Sequence, residues 1–166
     1  MKVTTTTKKT KILTALDAVK DPEIPVISVV DLGIITNIAI NEKDEATITM
    51  TPTFTACPAI KIMQQDIKSC VEKLDFIQSA EVVIDYAIPW TSDRMSERGK
   101  RQIKAFGIAP PATHHGQIDE STITYIRCPH CDSDDTSMKA LFGPTLCRSM
   151  HYCYNCQQAF QAFKPI

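Results

Sequence analysis

The stretch EATITMTPTFTACPAIKIMQQDIKSCVEKL, residues 45–74, decides the fold of the first part of the chain. Apolar and polar residues alternate over 45–51, and this pattern predicts a β-strand with one buried face. From Pro58 to Leu74 the apolar residues recur at helical spacing, and a proline suits the first turn of a helix. The stretch therefore predicts a strand that leads into a long helix, with Cys57 at the junction.

The flanking segments extend this pattern on both sides. Periodicity predicts helices over 9–19 and 92–106 and strands over 34–41 and 80–88. Ser92 or Asp93 is expected to cap the last of these helices. The order helix, two strands, helix, strand, helix predicts a compact α/β domain over residues 9–108, with helices on a small three-stranded mixed sheet.

Bulk composition limits the function classes. A chain of 166 residues can hold one ordinary core and a small second module, and a net charge of -1 gives no general attraction for nucleic acid or an anionic membrane. No apolar run approaches the roughly 20 residues that span a bilayer. The N-terminus lacks the apolar centre of a signal peptide, so we expect a cytoplasmic protein.

The strongest motif lies beyond a proline- and glycine-containing linker over 109–122. Within residues 123–166, Cys128 and Cys131 form one C-x-x-C pair and Cys153 and Cys156 form another, with 21 residues between the pairs. Four thiolates at this spacing favour a closed, tetrahedral, structural Zn²⁺ site. We expect a β zinc ribbon with one zinc per chain; a single iron or an iron–sulfur cluster is the alternative.

Several other cysteines and histidines are expected to be structural. Cys70 falls on the apolar face of the long helix and is expected to pack there. Cys147 is expected to be a small buried residue in a strand. The alternative is an exchangeable fifth ligand of the metal. His130 and His151 each lie close to a cysteine that already completes the ligand set, so both are expected at the surface.

Cys57 has two interpretations. The free N–H groups and the dipole at a helix N-terminus favour a thiolate, and the hydroxyls of Thr51, Thr53 and Thr55 are near in sequence. The alternative is a small buried residue. All four histidines fall in the linker or the ribbon, which argues against a cysteine–histidine hydrolase. For Asp21, Glu23 and Asp31, the residues alone favour capping and solvation.

Three segments carry a family resemblance: DPEIPVISVVDLGII, TPTFTACPA and EVVIDYAIPWTSDRMSERGKRQIKAFGIAPP. Together they resemble the iron–sulfur assembly domain of SufT-type proteins, over roughly residues 10–108. The D-P-E turn holds Asp21 and Glu23, the D-L-G segment holds Asp31, and the T-x-x-x-x-x-C-P motif holds Cys57. The resemblance implies that Cys57 is a functional thiolate, a candidate metal or cluster ligand, supported by the acidic turn.

The cysteine-rich tail, with its F-G-x-T-x-C and F-x-x-F-K stretches, resembles the D-subunit family of phenylacetyl-CoA 1,2-epoxidase, also called the phenylacetate-CoA oxygenase J subunit. This resemblance implies an accessory protein of aerobic phenylacetate degradation that matures a metal centre of the oxygenase or the reductase subunit. It implies no catalytic activity of its own. An adaptor that binds the epoxidase through its ribbon, without metal transfer, is the alternative.

The residues support the non-enzymatic part of this expectation independently. The chain has neither the E-x-x-H motif of di-iron oxygenases nor a G-x-G-x-x-G fingerprint. A lone thiolate is an incomplete metal site. Any transient iron or iron–sulfur cluster at Cys57 would need ligands from Asp or Glu residues, from the client protein, or from a second chain in a homodimer.

Overall fold

The computed structural model describes residues 5–55 and 57–166, and it divides into two compact units at Pro89 and Trp90. The first unit contains α1 (Thr5–Leu16), β1 (Ile35–Ile40), β2 (Glu45–Met50), α2 (Ile60–Glu72) and β3 (Ser79–Ile84). The second contains a 3₁₀ helix (Ser92–Arg94), α3 (Glu97–Ala105), β4 (Ile108–Ala109), α4 (Glu120–Thr124), β5 (Thr136–Ala140), β6 (Arg148–Cys153) and β7 (Gln158–Phe163).

The first unit is a two-layer α/β structure, as the sequence predicts. Its strands lie in the order β1-β2-β3, with β1 and β2 antiparallel and β2 and β3 parallel. Alternation in β2 buries Ala46, Ile48 and Met50. Helix α2 contacts β3, α1 contacts β1, and the two helices contact each other. The mixed three-stranded sheet is therefore confirmed, with its apolar face covered by helices.

Two element boundaries differ from the sequence prediction for local reasons. Helix α1 stops at Leu16 rather than at residue 19, because the Ala18 and Val19 amides donate to carbonyls three residues back, at 3.1 and 3.0 Å, instead of four. Strand β3 stops at Ile84 rather than at residue 88. There the Asp85 carboxylate accepts the Ala87 amide at 2.8 Å, and this side-chain turn ends the strand.

The second unit is built on a four-stranded sheet in the order β4-β7-β6-β5. Strands β5, β6 and β7 form an antiparallel meander, and β4 adds in parallel to β7. The small core of this sheet combines apolar side chains with two buried thiols: Ala109, Cys128, Cys153, Phe160 and Ala162. The second unit buries further apolar side chains beside this cluster, among them Trp90, Ile103 and Phe163, so apolar packing and the thiols together stabilise it.

The cap of α3 differs from the prediction. Ser96, rather than Ser92 or Asp93, caps the helix, and its hydroxyl accepts the Gly99 amide at 2.9 Å. Ser92 and Asp93 lie in the preceding 3₁₀ helix. The Asp93 carboxylate instead accepts the amides of His114 and His115 at 3.0 and 2.7 Å.

Residues at the two ends of the second unit are joined. The Ser92 amide donates to the Ile166 carbonyl at 2.9 Å, and His114 Nε2 lies 3.1 Å from the same oxygen. His114 Nδ1 accepts the Gly116 amide at 3.0 Å, so Nε2 is the atom that donates. Residues 109 and 114–116 of the predicted linker thus bond within this unit, which begins at Trp90.

Within the part of the chain that the structure describes, every helix is too short or too polar to cross a bilayer.

Candidate metal centre and the Cys57 loop

The two C-x-x-C pairs meet in the second unit. The sulfurs of Cys128, Cys131, Cys153 and Cys156 all lie within 4.8 Å of one another. Cys128 Sγ is 3.6 Å from Cys156 Sγ, and Cys131 Sγ is 3.6 Å from Cys153 Sγ. The closest sulfurs thus come from opposite pairs, so the cluster joins the loop before β5 to the turn between β6 and β7.

Each pair ends in the same backbone conformation. Asp132 follows Cys131 with φ 58°, and Gln157 follows Cys156 with φ 58°. Non-glycine residues rarely adopt this left-handed conformation, and it is tolerated where the surrounding structure requires it. Here it turns the chain sharply after the second thiol, so that both sulfurs of a pair face one point.

The sulfur geometry fits a tetrahedral metal. Four thiolates at about 2.3 Å from a central Zn²⁺ would stand about 3.8 Å apart, close to the 3.6 Å separations found here. A disulfide would need about 2.05 Å between sulfurs. Four protein ligands complete a tetrahedral shell and leave no position for substrate, so these residues would hold zinc structurally.

The thiols also need a cation between them. The Asn155 side-chain amide and the Ser133 backbone amide lower the pKa of Cys131 to about 6. Burial and the neighbouring sulfurs raise the pKa of Cys156 to about 12, and burial raises that of Cys128. A thiolate therefore forms readily at Cys131, while Cys128 and Cys156 stay protonated until a positive charge is present.

His151 is buried, which makes the expectation of a surface position wrong. Its side chain is 0% exposed, and its ring stacks on Phe160 with centroids 5.4 Å apart. Nε2 lies 2.9 Å from Ser149 Oγ, which in turn reaches the Ala162 carbonyl at 3.5 Å. Nδ1 finds no hydrogen-bond partner among the described residues. Burial lowers the pKa of His151, and the ring is neutral. His130 is exposed, as expected.

Two further thiols lie outside the four-cysteine set. Cys70 Sγ donates to the Ala15 carbonyl at 3.3 Å, and burial raises its pKa, which fits a packing role in the first unit. Cys147 is half-buried beside Thr145, with Sγ and Oγ1 3.1 Å apart.

Cys57 lies in the loop between β2 and α2 and is half-buried. Helix α2 begins at Ile60, two residues later than predicted, with Ala59 at the N-cap. The Cys57 amide donates to the Phe54 carbonyl at 3.2 Å, and its carbonyl accepts the Ile60 amide at 3.3 Å. The thiol is thus carried by a tight turn in front of the helix. The Thr51 hydroxyl does not serve this turn; it donates to the Asp85 carbonyl at 3.0 Å.

The acidic residues have structural contacts. Asp21 Oδ1 accepts the Glu23 and Ile24 amides at 2.7 and 3.0 Å and so closes the turn. Asp31 is 3% exposed, and its Oδ2 lies 3.2 Å from Ser28 Oγ. The Ser28 hydroxyl is also 2.9 Å from Asp17 Oδ1, so two carboxylates share one hydroxyl. Sequence reasoning missed Asp17.

Only the four ribbon cysteines, among residues 5–55 and 57–166, bring three or more potential ligands close enough to hold a metal ion. Cys57, Asp21, Glu23 and Asp31 do not form a preformed site. Two separate arrangements therefore exist: a complete thiolate set in the second unit and a single loop thiol in the first.

Comparison with known proteins agrees with this division. The family model of the iron–sulfur cluster assembly protein matches residues 9–84, and that of the PaaD zinc beta ribbon domain matches residues 112–164. A crystal structure of a domain of unknown function, DUF59, from Bacillus anthracis superposes with a TM-score of 0.53 at 31% identity, covering 56% of this chain and 88% of that chain.

Curated relatives cover either the first unit or nearly the whole chain. The Bacillus subtilis (strain 168) protein named Fe-S protein maturation auxiliary factor YitW is 36% identical over 55% of this chain and 89% of its own length. An Escherichia coli (strain K12) protein, the D subunit of what is named "Putative 1,2-phenylacetyl-CoA epoxidase", is 32% identical over 91% of this chain and 89% of its own length. The chain therefore belongs to the D-subunit family of phenylacetyl-CoA epoxidase, with an iron–sulfur assembly domain followed by a zinc ribbon.

Proposed function

We propose that this protein is a cytoplasmic maturation factor that helps to load an iron or iron–sulfur centre into phenylacetyl-CoA epoxidase, with Cys57 as the thiolate that handles the metal. One observation carries the proposal: Cys57 is a half-buried thiol on a turn before a helix, apart from the four-cysteine set. The iron–sulfur assembly family model includes this loop, and relatives of the first unit are named as iron–sulfur maturation factors.

An incomplete ligand set suits a transient role. When Cys57 binds iron, its thiol gives up a proton and supplies one sulfur ligand. The remaining ligands come from the client protein, from Asp or Glu residues, or from a second copy of this chain. Because no closed set surrounds the metal, ligand exchange toward a client with more ligands is favourable.

The ribbon has a different part in this scheme. Its four thiolates hold one structural zinc per chain, and zinc binding supplies much of the free energy of folding of the second unit. A zinc ion with four protein ligands has no open position for a substrate, so its role is structural. It stabilises the sheet, and the sheet presents side chains to a partner.

The client is a metal-containing subunit of the epoxidase, either the oxygenase with its di-iron site or the reductase with its iron–sulfur cluster. The full-length relative named as an epoxidase subunit supports this system as the setting. The two clients differ in what they would lack without the factor. An unloaded oxygenase is deficient in iron alone, whereas an unloaded reductase is deficient in both iron and acid-labile sulfide.

The decisive experiment co-expresses the epoxidase subunits with wild-type protein, with Cys57→Ala, or with Cys70→Ala as a matched control. Cys70 is another half-buried thiol of the first unit, and it has a packing contact. We expect Cys57→Ala to fold and keep one zinc per chain, while iron or sulfide in the purified epoxidase falls at least severalfold. Cys70→Ala should leave loading unchanged. Full loading with Cys57→Ala would refute the role of Cys57.

A second candidate function is an adaptor that binds the epoxidase without metal transfer. The observation that favours it is the apolar surface of the loop between β5 and β6, where Leu141, Phe142 and Leu146 are exposed. An adaptor predicts that Cys57→Ala is silent in every loading assay, and that only changes in the ribbon reduce epoxidase activity.

A further inference from the structure

The loop that joins β5 to β6 displays three large apolar side chains within six residues. Leu141 is 43% exposed, Phe142 59% and Leu146 45%. Single exposed apolar residues are ordinary on protein surfaces, but a group of them on one short loop is typical of an interaction site. We call residues 141–147 the apolar loop.

Hydrogen bonds to Arg148 hold the apolar loop in a fixed conformation. The Gly143 amide donates to the Arg148 carbonyl at 2.8 Å, and the Arg148 amide donates to the Thr145 carbonyl at 3.2 Å. Arg148 Nε also donates to Thr145 Oγ1 at 2.7 Å. A Cβ on Gly143 would stand 3.3 Å from the Arg148 carbonyl oxygen, so the chain approaches itself closely there. A loop ordered in this way loses little entropy when it binds.

Cations lie directly beneath the apolar side chains. Lys164 Nζ is 4.2 Å from the centroid of the Phe142 ring, within the range of a cation–π contact. Lys164 and Arg148 are only 8% and 7% exposed. Residues 136–166 contain Lys139, Arg148 and Lys164 and no Asp or Glu. The loop is therefore apolar at its surface and positively charged at its base.

The apolar loop lies away from the cysteine cluster. Thr136 pairs with Cys153 at the metal end of the β5–β6 hairpin, and Ala140 pairs with Met150 at the loop end. Four steps along an antiparallel strand span about 14 Å. A partner can thus contact the loop while the thiolate set remains intact at the other end.

We propose that the apolar loop is the element through which this protein docks on a partner protein, at an apolar groove bordered by carboxylates. The apolar side chains would enter the groove, and the positively charged base of the loop would face its acidic border. Opposite charges orient the two proteins and raise the rate of association. Charge argues against a second copy in this position, because it would bring a second set of basic residues against the first. The inference rests on the proposed function only for the identity of the partner, the epoxidase.

The burial of its cations favours a protein over a membrane as the occupant. Binding to anionic lipid relies on exposed basic side chains that reach the headgroups, whereas Arg148 and Lys164, the two basic residues that contact this loop, are almost fully covered. A shaped protein groove can use apolar anchors with charges held just behind them.

The test measures the affinity of the zinc-loaded protein for each purified epoxidase subunit, immobilised for interferometry. The variants are Phe142→Ala with Leu146→Ala, Lys164→Met, and Tyr125→Ala as a control that removes an 80% exposed aromatic residue outside the loop. We expect the double variant to bind one subunit at least tenfold more weakly than wild type. Lys164→Met should bind more weakly with a shallower salt dependence, and Tyr125→Ala should bind as wild type does.

Zinc content of one per chain and an unchanged circular dichroism spectrum establish that each variant is folded. Unchanged affinity of the double variant overturns the proposal, as does failure of the wild type to bind any epoxidase subunit. Flotation of the wild type, but not of the double variant, with vesicles containing phosphatidylglycerol would assign the loop to a membrane instead. Phe142-dependent dimers would assign it to a second copy.

Docking and metal handling can fail separately. Cys57→Ala should bind the epoxidase with wild-type affinity and fail only in loading. If the double loop variant binds as wild type does while Cys57→Ala fails in loading, only the loop proposal is refuted. If the double loop variant binds weakly while Cys57→Ala loads the epoxidase fully, only the metal-handling role is refuted.

Discussion

The two units of this chain are stable for different reasons. In the first, a sheet face carrying Ile48 and Met50 packs under two helices, and its core is made of apolar side chains. In the second, one cluster of buried side chains includes two thiols of the four-cysteine set, Cys128 and Cys153. Truncating one side chain in an apolar core lowers the free energy of unfolding by a few kcal/mol. In a metal-stabilised unit, loss of a ligand can remove the metal and with it the free energy of metal binding.

Removal of the metal ligands gives the largest expected effect. We expect Cys128→Ser with Cys153→Ser to abolish zinc binding and to remove hydrogen-exchange protection from β6 and β7, because zinc supplies on the order of 10 kcal/mol to such a site. Amides of β2 should stay protected, since the first unit has its own core. Cys147→Ser, a thiol change outside the set, should keep zinc. Protected β6 amides in the double variant would contradict the comparison.

Truncation in the apolar core gives the next largest effect. Ile48 is 0% exposed at the centre of the first sheet, so Ile48→Ala should lower the free energy of unfolding by about 2–5 kcal/mol. Zinc content should not change. Val83→Ala, at a 40% exposed strand position, should cost less than about 1 kcal/mol. Urea unfolding of the three proteins measures both values, and equal costs at the two positions would show that Ile48 is not the core residue described.

Loss of the α3 cap gives a smaller effect. Ser96→Ala removes the acceptor of the Gly99 amide and should destabilise the second unit by about 1 kcal/mol. Ser96→Asp retains an acceptor at that position and should restore most of the loss. Thermal unfolding of the zinc-loaded protein compares the three, and equal loss in both variants would argue against a capping role.

The buried histidine gives the smallest effect at neutral pH and a specific pH dependence. Burial lowers the pKa of His151 in the folded protein below its ordinary value of about 6.5. Below that value the unfolded chain binds a proton that the folded chain does not, so stability falls as the pH falls through about 6.5 toward the folded pKa. His151→Leu should flatten this slope. Denaturant unfolding between pH 8 and pH 5.5, with zinc measured at each pH, tests it; parallel slopes would contradict it.

Much of this arrangement could be predicted from local pattern. Alternation over 45–51 and helical spacing after Pro58 predicted the central strand and helix, and the spacing of the four cysteines predicted a single cluster. These predictions succeed because each rests on a local pattern of residue spacing. Ser96 was missed because Ser92, Asp93 and Ser96 are all favourable N-cap residues, and only the path of the chain selects among them.

His151 shows what a closer use of the same pattern could have found. Side chains alternate across a strand, so a residue two positions before the buried ligand Cys153 faces the same way. The position of Asp31 near Asp17 could not be found this way. It depends on Ser28, which turns back toward the end of α1 through contacts that no local periodicity encodes.

The contact between residues 92 and 166 has one more consequence. Ser92 and Ile166 are 74 positions apart in sequence, so their hydrogen bond closes a long loop of backbone within the second unit. The entropy of closing a loop is lost before the contact can form, and contacts between residues this distant in sequence slow folding. Part of the second unit therefore forms only after segments far apart in the chain have met.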